Sequence, residues 1–277
     1  MQTVTPPTYQ TLAVRMEHHV AWVALNRPEK ANAMNMPMWD ELQQCFEWLD
    51  DEACVRAVVI CGEGKNFCAG IDLGMLQELT AEKNTIPEAA RQAEWFRRRI
   101  MRLQDNLTAI ERCRKPVLAA IQGNCVGGAV DLISACDMRY CCDGAVFSIK
   151  ESDLGIVADV GTLQRLPKLI SPGVVRELAY TARKFDASEA ERIGLVNRCY
   201  ASYETMIDEV SALAQNIARK SPLVIRGTKE MLNYSRDHSV EDSLRYVATW
   251  NGGTLSQDDV LKAITAAGSG ESPDYHD

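Results

Sequence analysis

The sequence predicts an α/β core followed by a helical tail, and three observations predict it. Two short apolar runs, "VRAVVICGE" at 55–63 and "KPVLAAIQG" at 115–123, end in glycine, the pattern of strands covered on both faces. Between them, apolar residues return every three or four positions, the period of a helix. Past residue 200 the helical period continues without further strand-like runs. Strand, helix, strand, helix implies parallel βαβ units.

Taken in order, "LAVRMEHHVAWVALNRP" reads as two short strands joined tightly at Glu17 to His19. "MPMWDELQQCFEWLDDE" sets Met38, Leu42, Phe46 and Leu49 on one helical face. The segment from Pro87 to Cys113 is a long helix, and after the 115–123 strand a helix begins near Gly128. Asp137, in "ACDMRY", reads as structural, through Arg139 or a turn cap, and Asp186 forms a capping box with Glu189. In the tail, Ile207, Val210, Leu213, Ala214 and Ile217 share a face. Ser221 followed by Pro222 is an N-cap with proline in the first turn, and "SVEDSLRYVATWNGG" follows as another helix. Such a tail needs a surface to cover, on its own core or on another subunit. The expected organisation is a core at 1–200, a helical region at 201–266 and a disordered tail at 267–277.

Composition narrows the function classes. The 277 residues are 46% hydrophobic and 25% charged, a globular balance. A net charge of -8 gives no general attraction to phosphate backbones, so no nucleic acid is expected as a partner. The basic run "EWFRRRIMR" reads as a solvated helix face. Ten cysteines contain no CxxC pair and no zinc spacing, and read as small buried hydrophobes in a reducing compartment. The four histidines fit neither a triad nor a metal site. No apolar run is long enough to span a bilayer, and no secretory, transit or peroxisomal signal is legible. The expected location is cytoplasmic, with a processed organellar protein as the alternative.

Three segments carry the chemistry. "GKNFCAGIDLGML" (64–76) follows a buried strand, at the end where α/β proteins bind ligands. "QGNCVGGAVDLISACD" (122–137) passes from a strand through a glycine pair into a helix whose unpaired N–H groups suit an anion or a developing oxyanion. "KESDLGIVADVGTLQRLPK" (150–168) holds Glu151, Asp153 and Asp159, the last in an apolar run where an unpartnered charge is costly. Taken singly, Gly127-Gly128 reads as a tight turn, "FCAGID" is equally unspecific, and Asp153 reads as a solvated or turn-capping carboxylate.

The combination is more specific. "LNRPEKANAM", "GKNFCAGIDL", "GNCVGGAVDLISACDMRY", "FSIKESDLGIVADVGTLQRLPKLI" and "DASEAERIGLVNR" occur in that order. Together they resemble the enoyl-CoA hydratase/isomerase (crotonase) superfamily over roughly residues 10 to 265. The resemblance implies a crotonase (ClpP-like) fold of repeated ββα units and a C-terminal helical trimerisation region. It implies a homotrimer or a dimer of trimers, an acyl-CoA thioester substrate and no separate cofactor. It also implies two backbone N–H groups that stabilise a thioester enolate, here Ile71 and Gly128, with Ala129 as the neighbouring choice for the second. Arg27, Lys30 and Ala31 would lie nearest the CoA nucleotide, and Ala69, Asp72 and Leu73 would flank the substrate.

Within the superfamily the acidic positions discriminate. Hydratases carry glutamate at the positions of Asp131 and Glu151, and an apolar or small residue at that of Asp159. The trio Asp131, Glu151 and Asp159 resembles the branch that moves the two double bonds of a 3,5-dienoyl-CoA to the 2,4 positions during fatty-acid β-oxidation. That reaction needs one group to remove a proton at C2 and another to add one at C6. The resemblance gives Glu151 to C2 and Asp159 to C6, with Asp131 tuning or orienting the pair. The alternatives are a hydratase or Δ3-Δ2 isomerase acting on mono-unsaturated acyl-CoA, and an RNA-binding relative using the "RRRIMR" helix.

Overall fold

A computed structural model describes residues 4–269 and 272–277. Strands β1 (Leu12–Glu17) and β2 (Val20–Leu25) form the expected hairpin. His18 and His19 both take positive φ, the conformation that joins two twisted strands through a two-residue turn. Helix α1 (Met36–Asp51) follows, capped by the Asn35 side chain, and Met38, Leu42, Phe46 and Leu49 are buried as the periodicity predicted. Next come β3 (Ala57–Gly62), α2 (Leu73–Asn84), α3 (Ala89–Arg112), β4 (Val117–Ile121), β5 (Asn124–Val126) and α4 (Gly128–Ser134). The chain continues through β6 (Met138–Cys142), β7 (Val146–Ser148), α5 (Thr162–Arg165), α6 (Pro172–Thr181), β8 (Phe185–Asp186), α7 (Ala187–Arg192) and β9 (Arg198–Tyr200). Four helices close it, α8 (Tyr203–Ala218), α9 (Pro222–Asp237), α10 (Val240–Thr254) and α11 (Gln257–Ser269).

Six strands form the main sheet in the order β1-β2-β3-β4-β6-β9, parallel except for the β1–β2 hairpin. A smaller sheet joins β5, β7 and β8. The pairs β4–β5 and β6–β7 therefore each give one strand to each sheet, the repeated ββα arrangement of the crotonase fold. Both faces of the main sheet are covered. Val58 and Ile60 point into the larger core with α1 and α3, and Val59 and Cys61 point into a second cluster closed by α8.

Helix α8 thus belongs to the core, although its sequence lies beyond residue 200. Its most buried stripe is Met206, Val210, Ala214 and Ala218, which includes Val210 and Ala214 of the expected face. Small residues at 214 and 218 let the helix lie close on the strands, and Ile207, Leu213 and Ile217 flank the contact. Asp137 pairs with Lys229 of α9 at 2.7 Å and accepts from Val117 N, whereas Arg139 is spent on backbone carbonyls. In the segment expected to be disordered, α11 runs to Ser269, and farther on Tyr275 is buried while its carbonyl accepts from Arg56. Among the described residues, no helix is long and apolar enough to cross a membrane.

Candidate active site

The site starts from two loops that touch. After β3, residues 66–72 run beside 122–128. Cys68 N donates to Asn124 O at 2.9 Å, and Val126 N donates back to Cys68 O at 3.1 Å. On its other side the first loop is held by Met34, through Met34 N to Gly70 O (2.8 Å) and Asp72 N to Met34 O (3.0 Å). Gly70 has a φ of +90°, and a Cβ there would stand 2.5 Å from Val126 O and 3.3 Å from Gly128 N. Only glycine allows this approach. The Cβ position of Gly128 is in turn 3.7 Å from Ile71 N. Among the described residues, neither Ile71 N nor Gly128 N is engaged in a hydrogen bond.

Three acids converge on the same place from different elements. Asp131 stands in the first turn of α4, Glu151 opens a 3-10 turn after β7, and Asp159 sits on the loop before α5. All three line one cleft of about 660 Å³ together with Ile71 and Gly128. One wall is apolar, built by Leu73, Leu76 and Leu79 of α2 and Phe96, Ile100 and Leu103 of α3. Leu154, Ile156 and Val157 line the cleft from the acid-bearing loop. Val157, 72% exposed, and Leu73, 58% exposed, leave apolar surface at the rim, as a long acyl chain would require.

The acids differ in their surroundings. Asp131 is 1% exposed, and its Oδ1 accepts from Thr162 N at 2.6 Å. Burial raises its pKa to about 6 against the pull of that hydrogen bond, and the Asp159 charge adds to the rise. Glu151 rises further, to about 7, through burial first and then the charges of Asp131 and Asp159. Its Oε1 faces Gly127, 3.4 Å from where a Cβ would sit, and its buried Oε2 has no hydrogen-bond partner among the described residues. Burial also raises Asp159. Its backbone is pinned by Gln104, whose Nε2 donates to Asp159 O at 2.6 Å. A carboxyl that titrates at about 7 can both take and give a proton near neutral pH.

The remaining expected positions divide. Arg27 turns inward and pairs with Asp72 at 3.0 Å while donating to Ala33 O, so it ties the loop to the N-cap of α2. Burial raises the Asp72 carboxyl, but the Arg27 and Gly74 donors outweigh it and hold the group below the usual range. Ala31 O accepts from Ala69 N at 3.0 Å, which joins the two expected substrate-flanking loops, and Lys30 is exposed beside them. Ala129 is buried behind Gly128. Asp153 is exposed and pairs with Lys150, as a solvated carboxylate should. Sequence reasoning placed Leu73 of the α2 wall but missed Leu76, Leu79, Gln104 and Arg99, although the long helix that carries Gln104 and Arg99 was itself legible. In the basic run, Arg102 pairs with Asp40, and Arg99 lies over Trp95 and reaches the cleft.

Comparisons with known proteins give the family and the fold. The family model described as Enoyl-CoA hydratase/isomerase matches residues 15–275. The mouse protein named Delta(3,5)-Delta(2,4)-dienoyl-CoA isomerase, mitochondrial, is 48% identical over 269 residues, covering 96% of this chain and 82% of its own. The Arabidopsis thaliana protein of the same activity, named peroxisomal, is 44% identical and covers 95% and 96%. Among solved structures, an enoyl-CoA hydratase from Bacillus anthracis superposes with a TM-score of 0.86 at 29% identity, covering 96% of this chain and 99% of that one. The expected cytoplasmic location is corrected by these relatives, which are named as organellar proteins. That expectation rested on finding no address in the sequence, and a missing address is weak physical evidence for any compartment.

Proposed function

The chain belongs to the enoyl-CoA hydratase/isomerase family, and we propose that it converts 3,5-dienoyl-CoA to 2,4-dienoyl-CoA in fatty-acid oxidation. The observation that carries the reading is the convergence of Asp131, Glu151 and Asp159 on one apolar cleft beside two free backbone N–H groups.

In this reading the thioester oxygen accepts from Ile71 N and Gly128 N. Glu151, as carboxylate, removes a proton from C2, and the electron pair it leaves forms the C2–C3 double bond. The C3–C4 π pair shifts to C4–C5, and the C5–C6 pair takes the proton of the Asp159 carboxyl at C6. Negative charge on the dienolate is met by donors already in place, which costs no reorganisation. Lys30, Ala31, Ala69 and Leu73 flank the substrate where it leaves the cleft, while Arg27 and Asp72 hold that loop in shape. Asp131 fixes the Asp159 loop through Thr162 and raises the proton affinity of Glu151. A homotrimer or dimer of trimers is part of the reading. Apolar side chains left exposed along α10 and α11, including Val240, Leu244, Leu261 and Ile264, support it.

The test is turnover of a 3,5-dienoyl-CoA by Asp159→Asn. The variant keeps shape but cannot deliver the proton, and its rate should fall by about two to four orders of magnitude. Full turnover would overturn the assignment, and rapid hydration of crotonyl-CoA by the unaltered enzyme would favour a hydratase.

A further inference from the structure

Asp159 faces two cavities. Besides the acyl cleft, it lines a second cleft of about 610 Å³ on the other side of its loop, with Val160 and Gly161. Glu151 and Asp131 line the first cleft and not the second. The two spaces also differ in chemistry. The second is walled by Thr108, Glu111, Gln164, Arg165, Lys168 and Asp237, groups that hold water. Its charges are mutually satisfied: Arg165 donates to Glu111 at 2.7 Å, Arg236 also reaches Glu111, and Lys168 pairs with Asp237. Nothing there binds Asp159's carboxylate as a fixed ion partner among the described residues. The loop is instead held by its backbone, through Gln104 to Asp159 O and Arg165 to Val160 O (3.4 Å).

We propose that the polar cleft is a rear proton entrance, through which Asp159 is re-protonated from solvent independently of the acyl cleft. The inference rests on the reading of Asp159 as the acid at C6. Each turnover leaves Glu151 protonated and Asp159 ionised, so one proton must leave the first and one must reach the second. Without a rear entrance the simplest route is internal, from Glu151 to Asp159 across the cleft that both line. The proton taken from C2 would then reappear at C6 of a later substrate. With a rear entrance, water supplies Asp159 and the proton on Glu151 departs through the acyl cleft as product leaves. Atoms balance in both cases, but the origin of the C6 hydrogen differs.

The experiment uses a 3,5-dienoyl-CoA carrying deuterium at C2, turned over many times by the full-length enzyme in ordinary water. The position of the label in the product is read by mass spectrometry and NMR. The rear entrance predicts that less than about a tenth of the abstracted label returns at C6, since exchange with water outruns internal transfer. Two variants plug the cleft, Gln164→Trp on α5 and Leu169→Trp just beyond it, both at exposed positions. In whichever of them folds, label at C6 should rise at least about threefold, because the internal route then competes. A purely structural defect would lower the rate without moving label between carbons. Extensive C2-to-C6 transfer in the unaltered enzyme overturns the inference, as does unchanged label in a folded plug variant. Undiminished turnover by Asp159→Asn would instead overturn the underlying reading, so the two failures are distinguishable.

Discussion

Glu151 should cost the folded protein stability at the pH where it works. Its carboxyl titrates at about 7 in the folded chain against an ordinary value of 4.5. The folded state therefore binds a proton that the unfolded chain has released, and stability falls as pH rises between the two values. The contribution is fully present below the unfolded pKa and is lost as pH passes through 7. Linkage puts the penalty at about 1 kcal/mol at pH 5 and about 3 kcal/mol at pH 8. Partial solvent access trims both figures. Glu151→Gln removes the charge and keeps the shape, so it should stabilise the protein by about 2 kcal/mol more at pH 8 than at pH 5. Isomerase turnover should fall by about two to four orders of magnitude in the same variant. Urea unfolding of both proteins at the two pH values, at one protein concentration, measures the difference. A stability change independent of pH would refute the claim that burial and neighbouring acids hold Glu151 near neutrality.

Three further outcomes follow from the geometry. Gly70→Ala puts a Cβ 2.5 Å from Val126 O at a φ of +90°, so it should lower stability by at least about 1–3 kcal/mol and depress turnover more than substrate affinity; thermal unfolding and steady-state kinetics check this. Asp137→Ala leaves the buried Lys229 ammonium only Lys115 O and takes the acceptor from Val117 N–H, and should destabilise by about 2–4 kcal/mol with kinetics of the folded fraction unchanged; denaturant titration reads it. The pH profile of kcat/KM should rise through about 7, far above an ordinary glutamate, as Glu151 ionises; a rising limb near 4.5 would contradict the burial argument.

The parts of the fold that were legible are those with long periods. β3, β4, α1 and α3 are continuous or strongly periodic, and the buried face of α1 follows from pattern alone. The second sheet was not legible, because β5, β7 and β8 are two or three residues long and no periodicity fits such lengths. The membership of α8 was hidden for another reason. Its apolar face is equally suited to its own sheet or to another subunit, and only the packing of Ala214 and Ala218 against the strands decides. At the site, glycines and acids stood out by their chemistry, whereas Gln104 and Arg165 act through backbone carbonyls, a role that any long polar side chain could have in a sequence.

The shorter acid at 131 is where sequence and geometry meet. A glutamate would carry its carboxyl one methylene farther from α4, into the cleft and past the backbone of the Asp159 loop. Aspartate stops where Thr162 N can reach it, at 2.6 Å, and so gives one oxygen to fixing that loop. In the proposed reading, the position that in a hydratase carries a second water-handling carboxylate serves here to hold the loop of a third acid. In that reading the apolar run around Asp159 has a chemical use: burial there raises the proton affinity of the carboxyl that serves C6. On the same reading the shorter acid on α4 and the acid on the loop before α5 act as one device, since the first holds the start of α5 beside the second.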